Sequence, residues 1–178
     1  EFDKLIELLD KSRNINFIGL HFHIGSQITR VAEVFALECE RVNEIVSYFE
    51  QNGLKIRNIN LGGGLGVDYD DPDGNPIPDF ETWFSTIDRE IVRRPNQTVH
   101  VEPGRSIVAQ CGTLISRVMF VKSGETKNFL IMDAGMNDLI RPALYGAYHR
   151  IENLSATMRP FFPSHQAYDI VGPVCESS

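Results

Sequence analysis

The chain has 178 residues, 42% of them hydrophobic, enough to bury a core as one domain or as parts of two. Its net charge is −7, from 17 basic and 24 acidic residues, and no basic run exceeds the pair Arg93-Arg94, which argues against a nucleic-acid partner. No apolar run could span a membrane, Glu1-Phe2-Asp3-Lys4 is not a secretory signal, and the widely spaced Cys39, Cys111 and Cys175 suit neither a disulfide framework nor a zinc site, so a cytoplasmic location is expected.

Residues 15–22 are apolar and β-rich and read as a buried strand. Over residues 31–52, Val31, Phe35, Cys39, Val42, Val46 and Phe49 step by three or four, one stripe of a helix that Gly53 stops. Residues 56–61 form the next predicted strand and run into Gly62-Gly63-Gly64. Residues 70–79 have the Asp, Pro and Gly content of a loop. A helix over 80–92 and a strand over 98–101 follow, the strand ending in Glu102-Pro103-Gly104-Arg105. Then the pattern changes: 113–122 and 128–132 read as a hairpin around Ser123-Gly124-Glu125-Thr126, and 168–171 as one more strand. The expected class is α/β, with β/α units over 1–110 and a mainly β region over 111–178.

Three successive strands thus end in unusual clusters: His21-Phe22-His23-Ile24-Gly25-Ser26-Gln27, Leu61-Gly62-Gly63-Gly64-Leu65-Gly66 and Glu102-Pro103-Gly104-Arg105. Active sites of α/β barrels lie at that end of the strands. Ordinary turns also favour Gly and Pro, but three clusters carrying two histidines, a serine, a glutamate and an arginine favour a site. Consecutive glycines let backbone N–H groups approach an anion such as phosphate, although a packing or bulge role weighs about equally. The dinucleotide fingerprint fails at Val67, and no P-loop is present. His23 can stack on a flat cofactor and Ser26 can bond a phosphate oxygen. Metal binding by His21 and His23 is the rival, without a nearby carboxylate or cysteine to complete a zinc set. A carboxylate at Glu102 would keep a pyridine nitrogen protonated and the ring an electron sink, while Arg105 offers bidentate carboxylate recognition. A plain Glu102–Arg105 salt bridge has equal standing.

The residues 20–27, Gly62-Gly63-Gly64 and Glu102-Pro103-Gly104-Arg105 resemble the cofactor-stacking, phosphate and pyridine-nitrogen motifs of the alanine-racemase-like, fold type III pyridoxal-phosphate-dependent decarboxylases. Asp133-Ala134-Gly135-Met136-Asn137-Asp138-Leu139-Ile140-Arg141-Pro142-Ala143-Leu144-Tyr145 and Gly172-Pro173-Val174-Cys175-Glu176-Ser177 resemble its diaminopimelate-decarboxylase branch. The resemblance implies the second half of a TIM (β/α)8 barrel followed by part of a mainly β domain. It implies pyridoxal 5'-phosphate as cofactor, with His23 stacked on the ring and Ser26, Gly62, Gly63 and Gly64 holding the phosphate. Glu102 would pair with the ring nitrogen, with Pro103, Gly104 and Arg105 nearby. Arg105, Arg141 and Tyr145 would bind substrate, Cys175 would donate a proton, and Glu176 would meet the substrate's distal ammonium. Cys175 and Glu176 would come from the partner subunit, making the working unit a homodimer with shared sites. The implied reaction converts meso-diaminopimelate to lysine and carbon dioxide.

By residue type alone, Arg141 and Glu176 could instead be a surface ion pair, Tyr145 could pack in an aromatic stretch with Tyr148 and His149, and Cys175 could be a small buried hydrophobe. None of Lys4, Lys11, Lys55, Lys122 and Lys127 sits in the family's cofactor-anchoring motif. The chain is therefore expected to be a fragment that does not decarboxylate alone. An ornithine, arginine or carboxynorspermidine-type decarboxylase is the nearest rival, and lacks the glutamate of Cys175-Glu176-Ser177. Racemases of this fold place an arginine at the ring nitrogen. A catalytically dead, partner-binding relative is the rival of another class.

Overall fold

The computed structural model describes residues 1–155 and 166–174. The chain forms two compact units, Glu1–Asp68 with Pro72–Gly112, and Tyr69–Asp71 with Thr113–Ser178.

The first unit runs α1 (Phe2–Lys11), β1 (Gly19–His21), α2 (Val31–Gln51), β2 (Asn58–Asn60), α3 (Phe80–Glu90), β3 (Thr98–His100) and α4 (Arg105–Val108). Its three strands are parallel in the order β1-β2-β3, with the helices α2 and α3 as the connections that parallel pairing requires. The register aligns Leu20, Ile59 and Val99 in one row and His21, Asn60 and His100 in the next. Successive side chains of a strand point to opposite faces. One face therefore carries Leu20, Ile59 and Val99 into the core, and the other carries the polar row.

The stripe read from the sequence is the buried face of α2: Val31, Phe35, Cys39, Val42, Val46 and Phe49 all join the core, with Ile59, Leu61, Trp83 and Ile87. Each large apolar side chain so buried stabilises by about 2 kcal/mol. Phe35 meets Trp83 at 5.4 Å between ring centres. Asn43 fastens α2 to the end of α3, donating to the Glu90 carbonyl at 2.8 Å and accepting from Val92 N–H at 3.0 Å. Asp79 caps α3 by accepting from Thr82 N–H at 2.9 Å, and Gly53, at φ +84°, follows α2.

The strands are shorter than predicted. Of residues 15–22 only Gly19–His21 form the strand, flanked by Ile18 and Phe22, whose carbonyl and N–H bond Asn58 and Asn60, and Ile15 and Ile18 stand exposed. β-rich composition does not make a strand where no neighbour offers a ladder. The short helices α1 and α4 were not anticipated. No residue of α1 is buried, and α4 is a four-residue turn too brief to carry a period.

Glu38 lies in the buried face of α2 with neither carboxyl oxygen hydrogen-bonded. Burial pushes its pKa from 4.5 up to about 7. Between those values the unfolded chain is deprotonated at this site and the folded chain is not. Stability must therefore fall as pH rises through that window, by about 1.4 kcal/mol per unit. Glu38→Gln is expected to flatten urea-denaturation stability between pH 5 and 6.5, where the parent chain loses about 2 kcal/mol. An unchanged slope would show that Glu38 is not its source.

The second unit contains β4 (Val118–Ser123), β5 (Asn128–Met132), α5 (Arg141–Tyr145) and β6 (Asp169–Val171). β4 and β5 form the predicted antiparallel hairpin, closed by Gly124 N–H donating to the Lys127 carbonyl at 2.9 Å. β6 adds to β5 in parallel, with Leu130 opposite Ile170. The first strand starts at Val118 rather than at residue 113, and its register shifts between Val118 and Phe120. Among the described residues of this unit none is fully buried. No helix among the described residues is long and apolar enough to cross a membrane.

Candidate functional site

Parallel pairing carries the ends of β1, β2 and β3 to one side, and the clusters that follow them meet there. Phe22 N–H donates to the Asn60 carbonyl at 2.8 Å, Leu61 N–H to His100 at 2.9 Å, and Glu102 N–H to Gly62 at 2.5 Å. Ile28 N–H reaches the Gly64 carbonyl at 2.9 Å, and Gly66 N–H returns to Ile28 at 2.9 Å. The glycine triplet is the middle member of the three turns. A Cβ on Gly62 would lie 2.4 Å from the Phe22 carbonyl oxygen and 3.1 Å from His23 Nδ1. On Gly63 it would lie 2.2 Å from the Glu102 carbonyl oxygen, and on Gly64 2.3 Å from that of Gly25. Gly62 and Gly64 also hold φ of +69° and +105°, conformations that side chains disfavour. The sequence left anion approach and close packing open for these glycines; the close approaches alone require glycine at all three positions and do not bear on an anion role.

Glu102 lies two residues beyond His100, on the polar face. Its Oε1 accepts from Asn60 Nδ2 at 2.8 Å, and its Oε2 lies 3.4 Å from His21 Nε2. Asn60 Oδ1 in turn accepts from Gly62 N–H at 2.8 Å. Since a backbone N–H can only donate, that bond settles which end of the amide faces Glu102. His21 thus meets a carboxylate, and no cluster able to hold a metal ion occurs among the described residues.

The Glu102–Arg105 salt bridge weighed from the sequence does not form. Arg105 Nη1 instead donates to Gln27 Oε1 at 3.2 Å. Gln27 holds φ +60° and donates through Nε2 to the Val67 carbonyl at 2.5 Å, tying the first turn to the end of the glycine loop. His23, Ser26 and Gly104 are exposed, and Arg105 is half-buried. A Cβ on Gly104 would meet nothing within 4 Å.

Asn60 and Gln27 were not given roles by sequence reasoning. Asn60 could have been noticed as a polar residue aligned with His21 and His100 on one strand face. Gln27 offers no such signal.

The second unit gathers the later motifs. A Cβ on Gly172 would lie 2.3 Å from Gly135 Cα, so the turn at residues 133–135 rests on Gly172-Pro173. Asp133 accepts from Arg117 N–H at 2.8 Å and Ser116 Oγ at 2.7 Å, which holds its carboxyl below the usual range. The Arg141 guanidinium carbon lies 5.2 Å from the ring centre of Tyr69 and 5.7 Å from that of Tyr145, one helical turn on. Tyr145 is 68% exposed, so the core-packing alternative does not hold for it. The Tyr69 ring meets His149 edge-on at 5.1 Å. Burial, then the Arg141 charge, lowers the His149 pKa. Cys175 and Glu176 lie outside the described residues.

The family model for the C-terminal sheet domain of pyridoxal-dependent decarboxylases matches residues 10–178. A diaminopimelate decarboxylase of Bacteroides thetaiotaomicron is 49% identical over 178 residues, covering 100% of this chain and 45% of that protein. One of Zymomonas mobilis is 43% identical over 173 residues, covering 96% of this chain and 39% of that protein. The crystal structure of the M. jannaschii diaminopimelate decarboxylase in complex with L-lysine superposes with a TM-score of 0.75 at 30% identity, covering 98% of this chain and 39% of that one. The chain spans less than half the length of these relatives.

Proposed function

The chain belongs to the pyridoxal-dependent decarboxylases, and we propose from that premise that the whole protein converts meso-diaminopimelate to lysine and carbon dioxide. The observation that carries the reading is the convergence of three strand-end turns with a carboxylate among them. The identity to the Bacteroides and Zymomonas enzymes supports the substrate. In this reading the first unit is the second half of a TIM barrel, and the second is part of a mainly β domain. The working protein is a homodimer with shared sites.

The residues present fit pyridoxal 5'-phosphate. A carboxylate, an exposed serine hydroxyl, an exposed imidazole and a glycine turn stand at the ends of adjoining strands, and open space fronts Gly104. When bound, the cofactor supplies a pyridinium ring that withdraws the charge left on carbon as carbon dioxide departs. His23 would lie against the ring, while Ser26 and the turn of Gly62, Gly63 and Gly64 would hold the phosphate, the Gly62 N–H itself being taken by Asn60. Glu102 would hold the proton on the ring nitrogen. Arg105, Arg141 and Tyr145 would orient substrate, and a carboxylate bound at Arg141 would meet a planar cation already braced by two aromatic rings. Cys175 would return a proton to the reacting carbon. Glu176 would pair with the distal ammonium, and the second carboxylate beside that ammonium, which ornithine and lysine lack, calls for a cation such as Arg141.

The test is the full-length protein loaded with pyridoxal phosphate and offered meso-diaminopimelate, ornithine and arginine, with carbon dioxide and amine measured. The expected kcat/KM for meso-diaminopimelate exceeds the others by at least about tenfold. A preference for ornithine or arginine would overturn the substrate. Binding without turnover of any of them would favour a catalytically dead relative.

A further inference from the structure

We propose that Asn60 and His21 are positioning residues that hold the Glu102 carboxylate in place for the ring nitrogen and couple it to the glycine turn; this rests on the role given to Glu102 above. Glu102 follows β3, Asn60 ends β2, and His21 ends β1. The register aligns His21 with Asn60 and Asn60 with His100, so all three functional side chains rise from one face of the sheet. The Glu102 side chain reaches back across β2 to β1. A half-exposed glutamate would ordinarily sample several rotamers, and fixing a long side chain costs conformational freedom. Here each carboxyl oxygen has its own neighbour, Asn60 Nδ2 at 2.8 Å and His21 Nε2 at 3.4 Å.

Two further features favour positioning over an incidental strand-end network. Asn60 is used at both ends, since its Oδ1 accepts from the buried Gly62 N–H at 2.8 Å while its Nδ2 serves the acid. A shift of the glycine turn would thus move the carboxylate with it, keeping the phosphate end and the nitrogen end of one ligand in step. The nearest cation in sequence is also turned away, because Arg105 donates to Gln27. An arginine paired with Glu102 would compete with a pyridinium for the same charge. A carboxylate fixed beforehand loses no freedom when the ring arrives.

The experiment titrates the full-length apoprotein with pyridoxal 5'-phosphate and with 1-deazapyridoxal 5'-phosphate, in which carbon replaces the ring nitrogen, reading Kd from absorbance. The parent protein is expected to prefer the natural cofactor, and Glu102→Ala to lose that preference. Asn60→Ala and His21→Ala should each lower the preference, by about tenfold for Asn60, while the carbon analogue's Kd stays within about twofold. His21→Gln, which keeps a nitrogen donor, should recover most of it. Because Asn60→Ala also strips a partner from a backbone N–H, His21→Ala supplies a variant that leaves the backbone bonds intact. Equal loss of affinity for both cofactors, or no loss for either, in both variants would overturn the proposal. If the parent protein shows no preference, or Glu102→Ala retains it, the reading of Glu102 fails and the proposal with it.

Discussion

Gly63→Ala is expected to destabilise the first unit by about 3 kcal/mol or more and to abolish cofactor binding. The new methyl group would sit 2.2 Å from the Glu102 carbonyl oxygen and 3.1 Å from its carbon. Both are backbone atoms held by the Glu102 N–H bond to Gly62, so no side chain can swing away to make room. Two other glycines separate clash from conformational strain. Gly53 holds φ +84° with nothing within 4 Å of a Cβ, so Gly53→Ala should cost about 1 kcal/mol through strain alone. Gly112 has neither constraint, and its alanine variant should lie within about 0.5 kcal/mol of the parent. Thermal melts of the three variants, each with a pyridoxal-phosphate titration, give the order Gly63, Gly53, Gly112. If Gly63→Ala melts with Gly112→Ala, the turns at residues 62–64 and 102–105 do not meet as described.

The same distinction explains what could be read from the sequence. The α2 stripe was legible because a helix face repeats every three or four residues, so six apolar positions announce both the element and its buried side. Strand limits were less legible: residues 15–17 are as β-rich as Gly19–His21, but pairing depends on a neighbour that composition does not reveal. Helix α1 has an apolar face that stays largely exposed, so burial does not define it. The convergence of three turns could be inferred because parallel strands end together. The wiring among them could not. That Glu102 turns to Asn60 and His21 rather than Arg105 depends on how three short strands align, and on the Gln27 side chain, which accepts from Arg105. Arg141 and Tyr145 were singled out by motif, whereas Tyr69, which meets Arg141, and His149, which meets Tyr69, come from a loop and a helix exit that no periodicity marks.

If Glu102 faces the ring nitrogen as proposed, Glu102→Gln should lower kcat of the full-length protein by about a hundredfold to a thousandfold, the range for removing one preorganised electrostatic partner. The substitution is demanding because it changes so little shape. A glutamine of nearly the same size can still accept from Asn60 Nδ2 through its oxygen, so the strand-end network and the glycine turn should survive. What it cannot do is offer a negative charge to a protonated ring nitrogen; its amide would donate there, which favours the unprotonated ring. The loss falls on the step in which charge moves off the reacting carbon, not on recognition of the distal ends of the substrate. KM should therefore change little while kcat and kcat/KM fall together. Steady-state kinetics with carbon dioxide release separate these outcomes. A raised KM with unchanged kcat would make Glu102 a substrate-binding group instead, and kcat within about threefold of the parent would remove it from the chemistry altogether.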